Sequence, residues 1–180
     1  NRQMDLLHKR FIVFELDNIS ENRTLLPVVT IIIMETFLAK MRRLQGVRKV
    51  LLLEEAWKAI AKEGMASYVR YLFKTVRKYF GEAIVVTQEV EDIISSPIVK
   101  ESIINNADCK ILLDQRKYRN KFDQIQTLLG LTDKERAQVL SINLSNDPAR
   151  RYKEVFISLG GVQSAVYATE VSDEEYLVRP

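Results

Sequence analysis

The chain has 180 residues with a formal net charge of +3, 47% hydrophobic and 28% charged residues, the composition of one soluble globular domain with a sizeable core rather than of a disordered segment. Its longest apolar stretch, around Val28 to Met34, is far short of the roughly 20 residues a membrane-spanning helix needs, and the first residues lack the layout of a signal peptide, so a cytosolic protein is expected. A single cysteine, Cys109, excludes an internal disulfide, a lone His8 in a charged stretch reads as a surface residue, and so mild a charge does not by itself imply nucleic-acid binding.

In chain order, Phe11-Ile12-Val13-Phe14 is a short run of aromatic and β-branched residues and is predicted as a buried strand. Pro27 to Leu44 begins with a strand-like Val28–Ile33, but Met34, Phe37, Leu38, Met41 and Leu44 continue at helical spacing. Pro27 suits a first turn and Gly46 a C-terminal cap, so a helix buried on most sides is expected. Lys49–Leu53 reads as a second buried strand running into Glu54-Glu55. Val69, Leu72, Phe73, Val76 and Phe80 form one face of a helix closed by Gly81, and Ala83–Val86 is the next strand, ending at Thr87-Gln88.

A helix from Pro97 to Asn105 leads to a fourth strand at Ile111–Leu113. Gly130 closes a helix, and Thr132 to Glu135 form a capping box for the next. Val155–Leu159 and Val162–Ala168 flank Gly160-Gly161, a two-residue hairpin signal, and Ser172 to Glu175 form a second capping box. The alternation predicts an α/β fold, a mainly parallel sheet flanked by helices with a C-terminal β-hairpin, in one domain over residues 1–180.

The strand ending in Glu54-Glu55-Ala56-Trp57 carries the strongest chemical signal, because a parallel strand delivers its terminal side chains to the carboxyl edge of the sheet, where α/β folds bind ligands. In a nucleotide motor the first acid helps hold a magnesium shell and the second orients or deprotonates water; an acid pair is also an ordinary helix start. Gln88, one strand–helix unit later, has an amide able to bond both a phosphate oxygen and a water, or to sit in a surface loop. Arg70, Lys74 and Arg77 share a polar helix stripe that reads first as solvated surface. So do Arg116–Lys121 and Arg150–Lys153, with Tyr118 and Tyr152 as the groups that could stack on bases. Cys109 reads as a small packed residue.

Taken together and in order, Phe11–Leu16, Leu51–Trp57, Val76-Arg77-Lys78-Tyr79, Val85–Ile93 and Ile104–Ala107 resemble the motifs of the large conjugation ATPases of the TraG type. That family lies within the type IV secretion branch of the HerA/FtsK superfamily, and the resemblance runs over nearly the whole chain. It implies the C-terminal part of a RecA-like P-loop NTPase domain from a hexameric motor at the cytoplasmic face of the inner membrane. Such a motor is expected to hydrolyse ATP with Mg²⁺, to work with secretion-channel components and with DNA, and to drive DNA or protein export or pilus assembly. By motif, Glu54 and Glu55 fall on the Walker B acids, Thr87 and Gln88 on the Thr-Gln motif, and Arg77 on an Arg-Lys motif as a candidate arginine finger. The pattern usually has Asp then Glu; Glu54 is one methylene longer, which bears on Mg²⁺ geometry. No Gly-x-x-x-x-Gly-Lys-Ser/Thr occurs, so the chain is expected to be a truncated or proteolytic piece, inactive alone. Rival readings are a DNA-translocating motor or coupling protein of the same superfamily, and a non-catalytic assembly or docking module.

Overall fold

In the computed structural model, residues 6–54, 63–88, 103–144 and 152–178 are described, with the backbone alone at 63–67, 176 and 178. The chain divides into two units, Asn1–Asn106 and Ala107–Pro180.

In the first unit the expected strand Phe11–Phe14 is not formed: the segment is irregular, and Phe11 and Val13 are 86% and 70% exposed. A ladder needs a neighbour to take up the backbone groups, and neither described sheet includes this segment. It is tied instead to the first helix, through a bond from Lys40 Nζ to the Lys9 carbonyl at 2.5 Å. That helix, α1 (Leu25–Arg43), is opened by Asn22, whose Oδ1 accepts the N–H groups of Thr24 and Leu25 at 3.1 and 2.9 Å. Lys40, Arg42 and Arg43 in its last turn complement the helix dipole. Met34, Phe37, Leu38 and Met41 enter the core, but Leu25, Val28 and Ile32 form an exposed apolar stripe. The helix is thus covered on most sides, as expected, and open along one stripe, where residues 25, 28 and 32 repeat at the three-to-four spacing of a single face turned from the core.

Strand β1 (Lys49–Glu54) pairs in parallel with β2 (Gly81–Val86), from Lys49 opposite Gly81 to Glu54 opposite Val86. Between them run α2 (Glu63–Thr75) and a 3-10 turn, Val76–Tyr79. Val69, Leu72, Phe73 and Val76 are buried as the helical spacing predicts, with Leu51, Leu53, Ala83 and Val85 packed on the same cluster. Phe80 leaves that face. It is exposed, with a left-handed φ of 53°, and caps the turn in place of the expected Gly81. Gly81 is required for space instead: a Cβ there would lie 2.7 Å from Val76 Cγ2 and 3.0 Å from the Met41 sulfur. On the opposite face of the pair, Val50, Leu52, Ile84 and Val86 are exposed, although parallel sheets are ordinarily covered on both sides.

The second unit is a three-stranded antiparallel sheet in the order β3 (Cys109–Leu112), β4 (Tyr152–Leu159), β5 (Gln163–Glu170). The fourth predicted strand thus joins the hairpin: Ile111 lies opposite Ile157. The parallel part of the α/β architecture is β1 and β2 among the described residues. The Gly160-Gly161 turn forms with both glycines at positive φ, and Val162 N–H closes it on the Leu159 carbonyl at 3.0 Å. Leu159 is opposite Gln163, so the loop is one residue longer than expected and Val162 is left outside the ladder.

Helix α3 (Phe122–Leu129) ends at left-handed Gly130, with Leu131 N–H reaching back to the Gln126 carbonyl, the 6→1 bond of a Schellman closure. Helix α4 (Asp133–Ser141) opens with the predicted capping box of Thr132 and Glu135. Arg136 joins the two helices by bonding Asp123 and, at 2.9 Å, Gln126 Oε1. Past α4, left-handed Asn143 exchanges bonds with Glu154, N–H to Oε2 at 2.6 Å and Glu154 N–H to Asn143 Oδ1 at 2.9 Å. Phe122, Ile125, Val139, Ile142 and Phe156 are buried. The last helix, α5 (Asp173–Val178), carries the second predicted capping box, Ser172 with Glu175. The helix predicted at Pro97–Asn105 falls largely outside the described residues, which resume with a 3-10 turn at Ile104–Asn106.

Candidate nucleotide site at the carboxyl edge of the parallel pair

The parallel register decides which sequence candidates can act together. Glu54, the last residue of β1, lies opposite Val86, the last of β2, and Thr87 and Gln88 follow directly in the chain. Both strands run the same way, so Glu54, Thr87 and Gln88 sit at one carboxyl edge, the edge at which α/β sheets bind ligands. Glu54 and Gln88 are exposed and Thr87 is partly covered. Glu55 lies outside the described residues.

Arg77 is elsewhere. It belongs to the turn that precedes β2, at the amino edge of the same pair. The register from Lys49–Gly81 to Glu54–Val86 spans five residue steps, about 16 Å of strand. Arg77 is exposed there. It is therefore not part of the Glu54/Gln88 cluster.

The donor set fits magnesium only in company. No group of three His, Cys, Asp or Glu side chains that could hold a metal occurs among the described residues, so a closed all-protein site is not built from them. A single carboxylate at a strand end suits Mg²⁺, which keeps several waters and takes its remaining ligands from phosphate oxygens.

In the second unit Asp114 claims Arg116: the guanidinium Nε donates at 2.9 and 2.8 Å to the two carboxylate oxygens, and NH2 completes an ion pair at 2.5 Å. This bond, first among the causes, holds the Asp114 carboxyl below its usual range and raises Arg116. Lys117 Nζ lies 4.6 Å from the centre of the Tyr118 ring, on a face that a stacked base would need. Arg150 and Arg151 lie outside the described residues. Cys109 is exposed rather than packed, because it opens an edge strand with its side chain on the uncovered face.

The TraG P-loop domain family matches residues 1–179. The chain belongs to the TraG P-loop domain family. Among solved structures, VirB4 of Thermoanaerobacter pseudethanolicus is similar, with a TM-score of 0.63 and 23% identity over 92% of this chain; at that identity the likeness shows the fold. The TraG-family chain spans 43% of the length of that VirB4 chain. No curated protein matches it significantly. The α/β reading as a P-loop NTPase fold therefore holds for this TraG-family chain. None of its described helices is long and apolar enough to cross a membrane.

One residue at the amino edge of the pair, beside the Arg77 turn rather than at the Glu54/Gln88 site, escaped the reading from sequence. Lys49, 8% exposed, donates its ammonium to the carbonyls of Met41, Leu44 and Tyr79. The signal was present as a lysine opening an otherwise apolar buried strand.

Proposed function

We propose that this chain is the C-terminal part of the RecA-like ATPase domain of a conjugative, type IV secretion motor, which hydrolyses ATP to drive DNA or protein export or pilus assembly. The observation that carries the reading is the meeting of Glu54 with Thr87-Gln88 at the carboxyl edge of two parallel strands. Family membership and the VirB4-like fold support the motor class. The bare face of Val50, Leu52, Ile84 and Val86 is what a domain completed by further chain would cover, and the phosphate-binding loop would come from that further chain.

In this reading Glu55 orients or deprotonates the attacking water. Gln88 donates its amide N–H to a terminal phosphate oxygen while its carbonyl holds that water. Glu54 and Thr87 face the nucleotide side, Glu54 holding the water shell of Mg²⁺, which when bound supplies neutralisation of phosphate charge. Arg77 offers its planar fork to the triphosphate of a neighbouring subunit, consistent with its place at the opposite edge. A homohexamer at the cytoplasmic face of the inner membrane, held there by channel components, is the assembly that makes such sharing possible.

The test is Glu55→Gln, with Gln88→Ala beside it, in the full-length protein. General-base contributions are typically about 10²- to 10⁴-fold, so phosphate release should fall on that order while ATP binding, measured separately, survives. Near-normal turnover in both variants would remove the catalytic assignment and leave the acid pair as a helix start.

A further inference from the structure

We infer that Lys49 is the positioning residue for Arg77, holding the arginine-bearing turn against the amino edge of the sheet. This rests on the reading of Arg77 as a group that serves a neighbouring subunit's site.

The ammonium of Lys49 has three protons, and its three bonds go to main-chain carbonyls: Leu44 at 2.5 Å, Tyr79 at 2.8 Å and Met41 at 3.4 Å. Met41 and Leu44 belong to the C-terminal end of α1, and Tyr79 closes the 3-10 turn that contains Arg77. Terminal carbonyls of helices lack intrahelical donors and carry the negative end of the dipole. A buried cation there satisfies both ends at once. Burying a lysine is costly unless it is fully bonded, and a local cap for α1 alone would have been met by water or by a surface lysine. What the buried position adds is the bridge to the turn.

The bridge is doubled. The backbone N–H of Lys49 donates to the Phe80 carbonyl at 3.0 Å, so one residue grips two successive carbonyls, Tyr79 and Phe80. Phe80 N–H returns to the Arg77 carbonyl at 3.3 Å, with Phe80 left-handed. On the other side, Gly81 packs so closely on Val76 and Met41 that a Cβ would not fit. Arg77 thus projects from a turn whose backbone is fixed at both ends, so the point from which its exposed side chain starts is set.

The experiment uses the assembled full-length protein. Lys49→Met keeps the aliphatic stem and removes the three donors; displacement of a catalytic group by about 1 Å can cost on the order of 10²-fold. Turnover is expected to fall about 10- to 100-fold with nucleotide affinity unchanged. Mixed into rings with Glu55→Gln subunits, which keep Arg77, Lys49→Met subunits should regain hydrolysis. Mixed with Arg77→Ala subunits they should not, because neither subunit then presents an arginine in place. Should Lys49→Met fail to assemble, Lys49→Arg, which retains charge while moving the donors, carries the same mixing test. A lowered melting temperature with near-normal turnover overturns the proposal. So does a loss of turnover that Glu55→Gln subunits do not restore. Normal turnover in Arg77→Ala itself removes the role of Arg77 and the proposal with it, and is told apart from a failure of Lys49 alone, in which Arg77→Ala is impaired and Lys49→Met is not.

Discussion

Ser158, in the middle strand of the antiparallel sheet, donates its hydroxyl to Glu135 Oε1 at 3.1 Å. The other carboxylate oxygen of Glu135 accepts the N–H and hydroxyl of Thr132 at 2.9 and 3.0 Å. One side chain, 7% exposed, therefore caps α4 and fastens that helix to the sheet. The Thr132 N–H first, then the hydroxyls of Thr132, Ser158 and Ser164, hold its carboxyl below the usual 4.5, against the opposing effect of burial. A depressed folded-state pKa adds stability that is present above the unfolded value and lost as pH falls through the folded one. Glu135→Gln should destabilise the protein at neutral pH by about 1–3 kcal/mol. That difference should shrink as pH is lowered below 4.5. Urea unfolding of both proteins from pH 7 to pH 3 measures it, and a pH-independent difference would contradict it.

Gly81→Ala forces a methyl to within 2.7 Å of Val76 Cγ2 and 3.0 Å of the Met41 sulfur. Overpacking of this kind costs about 1–3 kcal/mol, and the denaturation midpoint should fall accordingly. Alanine at Gly161, where a Cβ meets open space but φ is +69°, should cost about 1–2 kcal/mol through backbone conformation alone.

Phe80→Gly should move stability the other way. A left-handed residue with a side chain costs about 1–2 kcal/mol, and this ring, being exposed, contributes little packing in return. After the greater unfolded-state freedom of glycine, about 0.5–1 kcal/mol, a net gain of up to about 1.5 kcal/mol should remain. Phe80→Val, β-branched at positive φ, should lose stability in the same assay.

The chain of residues 1–180 by itself should neither bind ATP tightly nor hydrolyse it. Acids and an amide at a strand end do not replace the backbone N–H cradle that a phosphate-binding loop supplies. Calorimetric titration with ATP and Mg²⁺ tests this; micromolar affinity would contradict it.

Local signals foretold much of this structure. The capping boxes at Thr132 and Ser172 and the Gly130 closure act within a few residues and form where expected, and the paired glycines turn the hairpin there with one loop residue more than expected. That Glu54 and Gln88 lie at strand ends was legible from the apolar runs, whereas their placement side by side comes from the parallel pairing of β1 with β2. What depended on partners distant in sequence was not legible. Phe11–Phe14 has strand propensity but joins neither sheet among the described residues, and Ile111 pairs with Ile157 across the chain. Gly81 was read as a cap because its spatial conflict with Met41 and Val76 has no signature in local sequence. Likewise the buried role of Lys49 depends on where α1 ends.

Cys109 is the sole cysteine and is exposed, opposite Leu159 at the start of the edge strand. A thiol-reactive fluorophore would therefore label the native sequence at one position, with no engineered residue. That position belongs to the unit Ala107–Pro180, whereas Trp57, the sole tryptophan, belongs to Asn1–Asn106. The molecule thus carries one optical reporter in each half. Coincident denaturation curves from the two would mark a single cooperative transition, and separated ones would give each unit its own free energy of unfolding.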